Sequence, residues 1–319
     1  MLLPAPAAAA PSPPLLPHWP RGCGSGAPRP PPRICAAQLR APTTLLLPRR
    51  SPFGCSCSPS PSPSPSPSPG GDEDGARQLF DEFSVLSPNV PWEVEDIWRT
   101  FAAYFFVLHI PFSFGGLGVV AQLLHCPSLD PLTTVSTTVV LQLTELTLAL
   151  ALLQHTTKND HKVWSFFAGK LCPQQNWIKE TVLGFIFLMT MVSFTTVVAD
   201  KLIGLEDTYD PMLRKILSDS PTSRLLCVFL YCVIAPLSEE TIYRGFLVTA
   251  LSSSLKWKDA VIISSLMFSI AHFSINSSFQ LFVIGCITGL AYCRTGTLVA
   301  PLTIHSLYNA AILYMTLMS

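Results

Sequence analysis

Charge is scarce in this chain. Only 13% of its 319 residues are Asp, Glu, Lys or Arg, about half the quarter usual in a soluble domain. Apolar residues make up 49%, so lipid is the expected solvent for most of the chain. Lys plus Arg and Asp plus Glu stand at 20 each, and no basic block runs through the sequence. That excludes a phosphate-tracking surface, and with it nucleic acid as a partner. The ten cysteines follow no zinc or redox spacing. Cys23, Cys35, Cys55 and Cys57 lie near the amino terminus, while Cys227, Cys232, Cys286 and Cys293 sit within apolar runs, where a free thiol behaves as a small hydrophobe. No His-Glu-x-x-His run is present, which weighs against the zinc proteases that carry one.

Asp, Glu and Lys are absent altogether from residues 1–71, where Arg21, Arg29, Arg33, Arg40, Arg49 and Arg50 are scattered among Ser, Ala and Pro. This is the composition of a disordered transit peptide. Pro4, Pro6, Pro11, Pro13 and Pro14 interrupt any secretory apolar core. They also forbid the amphipathic helix of a mitochondrial leader, because each removes a backbone donor and clashes with the preceding turn. A plastid leader has no such requirement, so a chloroplast membrane, thylakoid or inner envelope, is the expected location. The Ser-Pro alternation from Ser58 to Pro69 reads as an extended linker. An acidic juxtamembrane segment, 72–97, follows, with Trp92 and Trp98 expected at the lipid headgroup level.

Apolar segments then run through Trp98–Leu124, Thr133–Leu153, Thr181–Ala199, Arg224–Leu237, Thr241–Leu255, Ala260–His272, Ser278–Tyr292 and Thr297–Met318. The first three and the last are long enough to cross ~30 Å of hydrocarbon at 1.5 Å per residue; the four between them are short. The predicted fold is an all-α polytopic transmembrane bundle of about eight helices. Residues 98–221 would form amino-terminal membrane helices and loops, and 222–319 the core that carries the chemistry.

Within that last part lie Glu239, Glu240 and Arg244, then Phe268 and His272, then His305 and Asn309. Residues four apart share a helix face, so Glu240 can meet Arg244, and His305 can point the same way as Asn309. An ionisable group in hydrocarbon costs about 2.5–3.5 kcal/mol on insertion scales, which makes such a cluster a functional-site hypothesis. Glu239, His272 and His305 occupy the fourth, sixth and eighth apolar segments, which would cross in one direction. Counting at 1.5 Å per residue places them at depths of ~22, ~20 and ~12–18 Å, close enough to converge. Glu145, with Gln142 beside it in the second segment, is a further intramembrane carboxylate, for which a packing role ranks first. His109 is read as bonding a neighbouring helix, and His125, His155 and His161 as solvated.

The runs Glu239-Glu240-Thr-Ile-Tyr-Arg244, Phe268-Ser-Ile-Ala-His272 and His305-Ser-Leu-Tyr-Asn309 resemble the EExxxR, FxxxH and HxxxN/D motifs of the CAAX-processing and bacteriocin-processing family of intramembrane proteases. That family includes the type II CAAX prenyl endopeptidases, and the leader suggests a plant plastid-type member. The resemblance covers residues 222 to 319. It implies that Glu239, helped by His272, activates a water, that His305 and Asn309 stabilise the oxyanion, and that Glu240 and Arg244 brace the site. A carboxylate withdrawn from bulk water is a stronger base than one in solution, and donors in a water-poor site are worth about 2.7–4 kcal/mol each.

The expected activity is therefore hydrolysis of a peptide bond in a membrane-associated protein, with no cofactor. Two alternatives stay open on the same scaffold. One is a zinc hydrolase with Glu239, His272 and His305 as ligands, and the other a non-catalytic membrane scaffold or assembly factor. Expected partners are the bilayer and a membrane-associated protein or peptide; the oligomeric state is not encoded in any feature of the sequence.

Overall fold

The computed structural model describes residues 84–86, 90–158, 162–173, 176–203 and 211–318. The leader, the Ser-Pro linker and His161 lie outside the described residues. These form nine helices and, apart from one bridge between Trp92 and Thr157, no β-structure. The helices are α1 (Val94–Leu123), α2 (Pro131–His155), α3 (Val163–Lys170), α4 (Trp177–Ile203), α5 (Pro211–Asp219), α6 (Pro221–Leu251), α7 (Trp257–Ala271), α8 (Ser278–Thr295) and α9 (Val299–Met318). Among the described residues, α1, α2, α6 and the Trp177–Val198 part of α4 are long and apolar enough to cross a membrane.

The count departs from eight for two reasons. The fourth and fifth apolar segments are one continuous helix, α6, of 31 residues; the polar stretch that separates them in sequence is the buried site itself. Two short helices, α3 and α5, fall between the apolar segments. Each buries one stripe, Val163 and Phe167 in α3 and Leu213, Ile216 and Leu217 in α5. α9, expected to span, is 20 residues long but falls outside the four spanning candidates, because Thr303, His305, Ser306 and Asn309 dilute its hydropathy.

Local chemistry sets the ends. The Asp130 carboxylate accepts the Thr133 N–H at 3.0 Å with Pro131 at the first helical position of α2, and these hydrogen bonds hold its carboxyl below the usual range. Ser220 accepts the Ser223 N–H at 3.1 Å ahead of Pro221, opening α6 in the same way. Gly296, at φ 67°, closes α8 in the left-handed conformation that glycine adopts without strain. Inside α1 and α6 the spiral widens to i→i+5 hydrogen bonding over Tyr104–Gly115 and Leu230–Ile234. Pro111 lies within the first of these stretches, and Pro236 just beyond the second. Each proline lacks a donor and pushes away the carbonyl four residues back, so the backbone re-pairs one residue further on. A third widened stretch, Thr241–Val248, contains no proline and has no such explanation.

Contact pairs fix the helix directions. Tyr243 meets Ser264, and Glu239 meets His272, so α6 and α7 are antiparallel. Arg244 meets Gly285 and Thr249 meets Tyr292, so α6 and α8 run the same way. Asn309 meets Tyr231 and His305 meets Glu240, so α9 opposes α6. The three site helices therefore do not all cross in one direction, as the segment count implied. Fusing two segments into α6 reverses every later helix, and the site converges because antiparallel neighbours bring the right levels together.

α7 and α8 pack closely along a glycine seam. A Cβ on Gly285 would lie 2.8 Å from Ser265 Cβ and 2.9 Å from its Cα, and one on Gly289 would lie 2.9 Å from Val261 Cγ1. Gly285-Cys-Ile-Thr-Gly289 is a small-xxx-small pattern that lets two backbones touch. The outer faces of α1 and α4 stay apolar and exposed, with Phe106, Val107, Ile186, Phe187 and Phe194 uncovered, as a lipid-facing surface requires. Trp98 is 48% exposed and suits the interface. Trp92 does not: it is buried, its indole N–H donates to the Leu153 carbonyl at 3.3 Å, and Phe166 and Phe246 pack edge-on to its ring. Its amphipathic ring is satisfied by protein rather than by headgroups.

Candidate active site

α6 supplies Glu239, Glu240 and Arg244, α7 ends on Phe268 and His272, and α9 supplies His305 and Asn309. All but His272 are buried, and the His272 side chain is only 9% exposed. The structure brings all seven together. Glu239 Oε2 lies 4.0 Å from His272 Nε2 and 3.7 Å from His305 Nε2. No protein group among the described residues donates a hydrogen bond to that buried oxygen. An orphaned carboxylate oxygen in a water-poor site is costly, so the position is built for a group that arrives from outside the protein. One water ~2.8 Å from Glu239 Oε2 is within reach of each Nε2, since both separations are shorter than two hydrogen-bond lengths.

Backbone and carboxylate acceptors orient both rings. His272 Nδ1 donates to the Phe268 carbonyl at 2.7 Å, one turn earlier on α7, which leaves Nε2 facing Glu239. His305 Nδ1 donates to Glu240 Oε1 at 2.8 Å, so this ring bridges the two carboxylates. The other oxygen of Glu240 pairs with Arg244 Nε at 3.2 Å, with both side chains 1% exposed. The contact is a close ion pair rather than an aligned hydrogen bond, because neither atom finds a partner of good geometry. Arg244 Nη2 is held separately, donating to the Gly285 carbonyl at 3.1 Å, and the guanidinium lies 4.8 Å from the Phe268 ring centroid. Phe268 also touches His272 and His305, at 4.6 and 6.0 Å between centroids. It is the apolar floor on which the cation and both imidazoles rest. Asn309 Nδ2 spends one proton on the Tyr231 carbonyl at 2.8 Å, a carbonyl in the widened turn before Pro236, and keeps its second.

Glu239, His272 and His305 are the ligand types zinc takes, yet among the described residues no three His, Cys, Asp or Glu are arranged to hold a metal ion. The Nε2 to Oε2 separations of 3.7 and 4.0 Å exceed the ~3.4 Å between ligand atoms of a tetrahedral zinc with bonds of about 2.0–2.1 Å. The residues as placed do not fit the metal.

Beside His272 opens a mostly apolar cleft between α1, α2, α6 and α7, lined by Phe112, Leu117, Leu141, Leu230 and Ala235 among others. His109, Ser113 and Gln142 also line it, and His109 bonds neighbouring helices, as the sequence suggested, at Glu145 and Ala271. Glu145 Oε1 accepts from His109 Nδ1 at 2.9 Å and from the Tyr104 hydroxyl at 3.1 Å, and Oε2 accepts from Ser113 at 2.9 Å and Gln142 at 3.2 Å. The signal was there, two ionisable residues in separate apolar segments, but nothing in their spacing pairs them. His125 and His155 are exposed, as expected of solvated residues.

Residues 221–311 match the family model described as type II CAAX prenyl endopeptidase Rce1-like. This stretch is similar to an Rce1-like domain. It contains Glu239, His272, His305 and Asn309, whereas α1 to α5 lie outside it. An uncharacterized 24.3 kDa protein of Escherichia coli is 31% identical over 102 residues, which are 30% of this chain and 47% of that protein. The membrane-embedded CAAX protease MroQ of Staphylococcus aureus (strain USA300) is 27% identical over 155 residues, 46% of this chain and 61% of that protein. The chain thus spans about half the length of the curated relatives it matches. No solved structure matches it significantly. The matched stretch holds all seven clustered side chains, and α1 and α2, which precede it, supply two walls of the adjoining cleft.

Proposed function

We propose that this chain is a multi-pass intramembrane endopeptidase that hydrolyses a peptide bond of a membrane-associated protein, using a glutamate-activated water. The observation that carries the reading is the orphaned Glu239 Oε2, buried and facing two imidazole nitrogens. Glu239 takes a proton from the water, whose oxygen attacks the scissile carbonyl. His272, held with its Nε2 free, shares that proton and passes it to the leaving nitrogen. The negative charge that forms on the carbonyl oxygen faces His305 and the unspent Asn309 proton. Donation from His305 Nε2 needs a proton on both ring nitrogens, and Glu240, bound to Nδ1, stabilises that cation. Arg244 pairs with the other oxygen of Glu240 and holds that carboxylate in place. In this reading two adjacent carboxylates divide the work: Glu239 reacts, and Glu240 braces.

The substrate class follows the family name, and a CAAX-type protein is the first to try. The leader composition supports a chloroplast membrane as the location, which a fluorescent fusion to residues 1–71 tests directly. For the chemistry, the full chain and its Glu239→Gln variant are reconstituted in liposomes and incubated with organelle membrane proteins, and new protein termini are compared by mass spectrometry. Loss of a general base lowers the rate by roughly 10²–10⁴-fold, so termini present with wild type and absent with the folded variant are the expected result. The same new termini in both samples refute the glutamate assignment, and no new termini with folded wild type favours the scaffold reading. Cleavage abolished by a chelator and restored by zinc would replace the water mechanism with a metal one.

A further inference from the structure

Outside the Rce1-like domain, α1 and α2 carry a buried polar cluster that the reaction above does not use. Its centre is Glu145, whose two oxygens accept from His109, Tyr104, Ser113 and Gln142. Four donors fill the acceptor capacity of a carboxylate, so the group is locked rather than reactive. Ser113, His109 and Glu145 are the residue types of a hydrolase triad, but the arrangement is wrong for one. The serine hydroxyl donates to the glutamate, and both approach the same imidazole nitrogen, Nδ1, so no base is left to activate the serine.

The other nitrogen of His109 leads out of the cluster. His109 Nε2 donates to the Ala271 carbonyl at 3.3 Å, the residue immediately before His272. Two residues on, Phe273 packs on α1 as well, its ring 6.1 Å from Phe105 and 5.0 Å from Phe114. Phe273 has φ 49°, a left-handed conformation that a bulky residue adopts only where packing imposes it. His272 is thus fastened from α1 on both sides, by a hydrogen bond at 271 and an aromatic clamp at 273. The widened spiral of α1 over Tyr104–Gly115 carries every one of these contacts.

We propose that His109, oriented by Glu145, is a positioning residue that holds the last turn of α7 and so aims His272 Nε2 at Glu239. The amino-terminal helices then complete the site of the Rce1-like domain instead of merely surrounding it. The catalytic consequence rests on the protease reading; the positional one does not.

Full-chain His109→Leu, His109→Gln and Glu145→Leu variants in liposomes test both. Gln keeps a donor near the position of Nε2 and serves as the rescue. Amide hydrogen exchange over residues 271–273 should quicken at least tenfold in His109→Leu and Glu145→Leu, with other amides of α7 unchanged, and return toward wild type in His109→Gln. In the same order kcat should fall by roughly 10- to 100-fold and recover, the scale of a small misplacement of a reacting group, while KM stays within twofold. Unchanged exchange at 271–273 overturns the proposal, as does faster exchange spread over the bundle or local loosening with an unchanged kcat. If wild type cleaves nothing yet the local loosening and its rescue appear, the positioning stands and the protease reading falls.

Discussion

The two halves of the membrane part use the same apolar vocabulary for opposite ends. In α6, 61% of the most apolar window is buried inside the protein, against 11%, 28% and 17% in α1, α2 and α4. The outer helices present Phe, Ile and Val to lipid, whereas α6 is enclosed by its neighbours and presents two carboxylates and a guanidinium to them. Enclosure makes those charges tolerable. Each is met by protein dipoles or a counter-charge that lipid does not offer. The difference teaches that hydropathy alone marks what enters the membrane, while polar residues inside it mark what the membrane never touches.

Three substitutions sharpen or break that contrast. The largest effect on stability is expected at Arg244. Arg244→Leu removes the counter-charge of Glu240 and one donor to the Gly285 carbonyl, and breaking a buried pair costs about 3–5 kcal/mol. Thermal unfolding in detergent should show it, and a variant as stable as wild type would mean that Glu240 needs no brace. Next is Gly285→Val, whose Cβ must enter space already held by the backbone of Ser265. Overpacking of this kind costs about 1–3 kcal/mol, read as a lowered melting temperature. Smallest, and opposite in sign, is Gly118→Ala in α1, where a Cβ meets nothing within 4 Å. Relief of glycine's helix penalty should leave stability unchanged or raise it by about 0.5–1 kcal/mol. Equal responses at Gly285 and Gly118 would erase the distinction between the enclosed and lipid-facing halves.

The helical class and the pairing within each cluster were legible from helical spacing within apolar runs; the meeting of the three clusters was expected from the motif resemblance and from a shared crossing direction, and the second reason was mistaken. The continuity of α6 was not legible. Pro236 and the polar residues after it imitate a helix break, and only tertiary contacts show the spiral widening past the proline instead of stopping. Trp92 was misplaced because an indole near a membrane helix satisfies its N–H as well on a buried carbonyl as on a headgroup. The link from Glu145 to His109 depends on how α1 and α2 dock, for which neither helix carries a periodic code. The pattern Gly285-Cys-Ile-Thr-Gly289 went unread in the sequence, because its spacing acquires meaning only once α7 is seen to lie against it.

That glycine seam also decides which wall of the cleft can yield. Where α7 and α8 touch backbone to backbone there are no side chains to swing aside, so the pair behaves as a fixed jaw and His272 rides on it. α1 faces it across the cleft, mostly exposed along its length and softened by a proline at mid-span. Because α1 also carries the hydrogen bond to Ala271 and the rings that clamp Phe273, any sideways displacement of α1 into the lipid would take the aim of His272 with it.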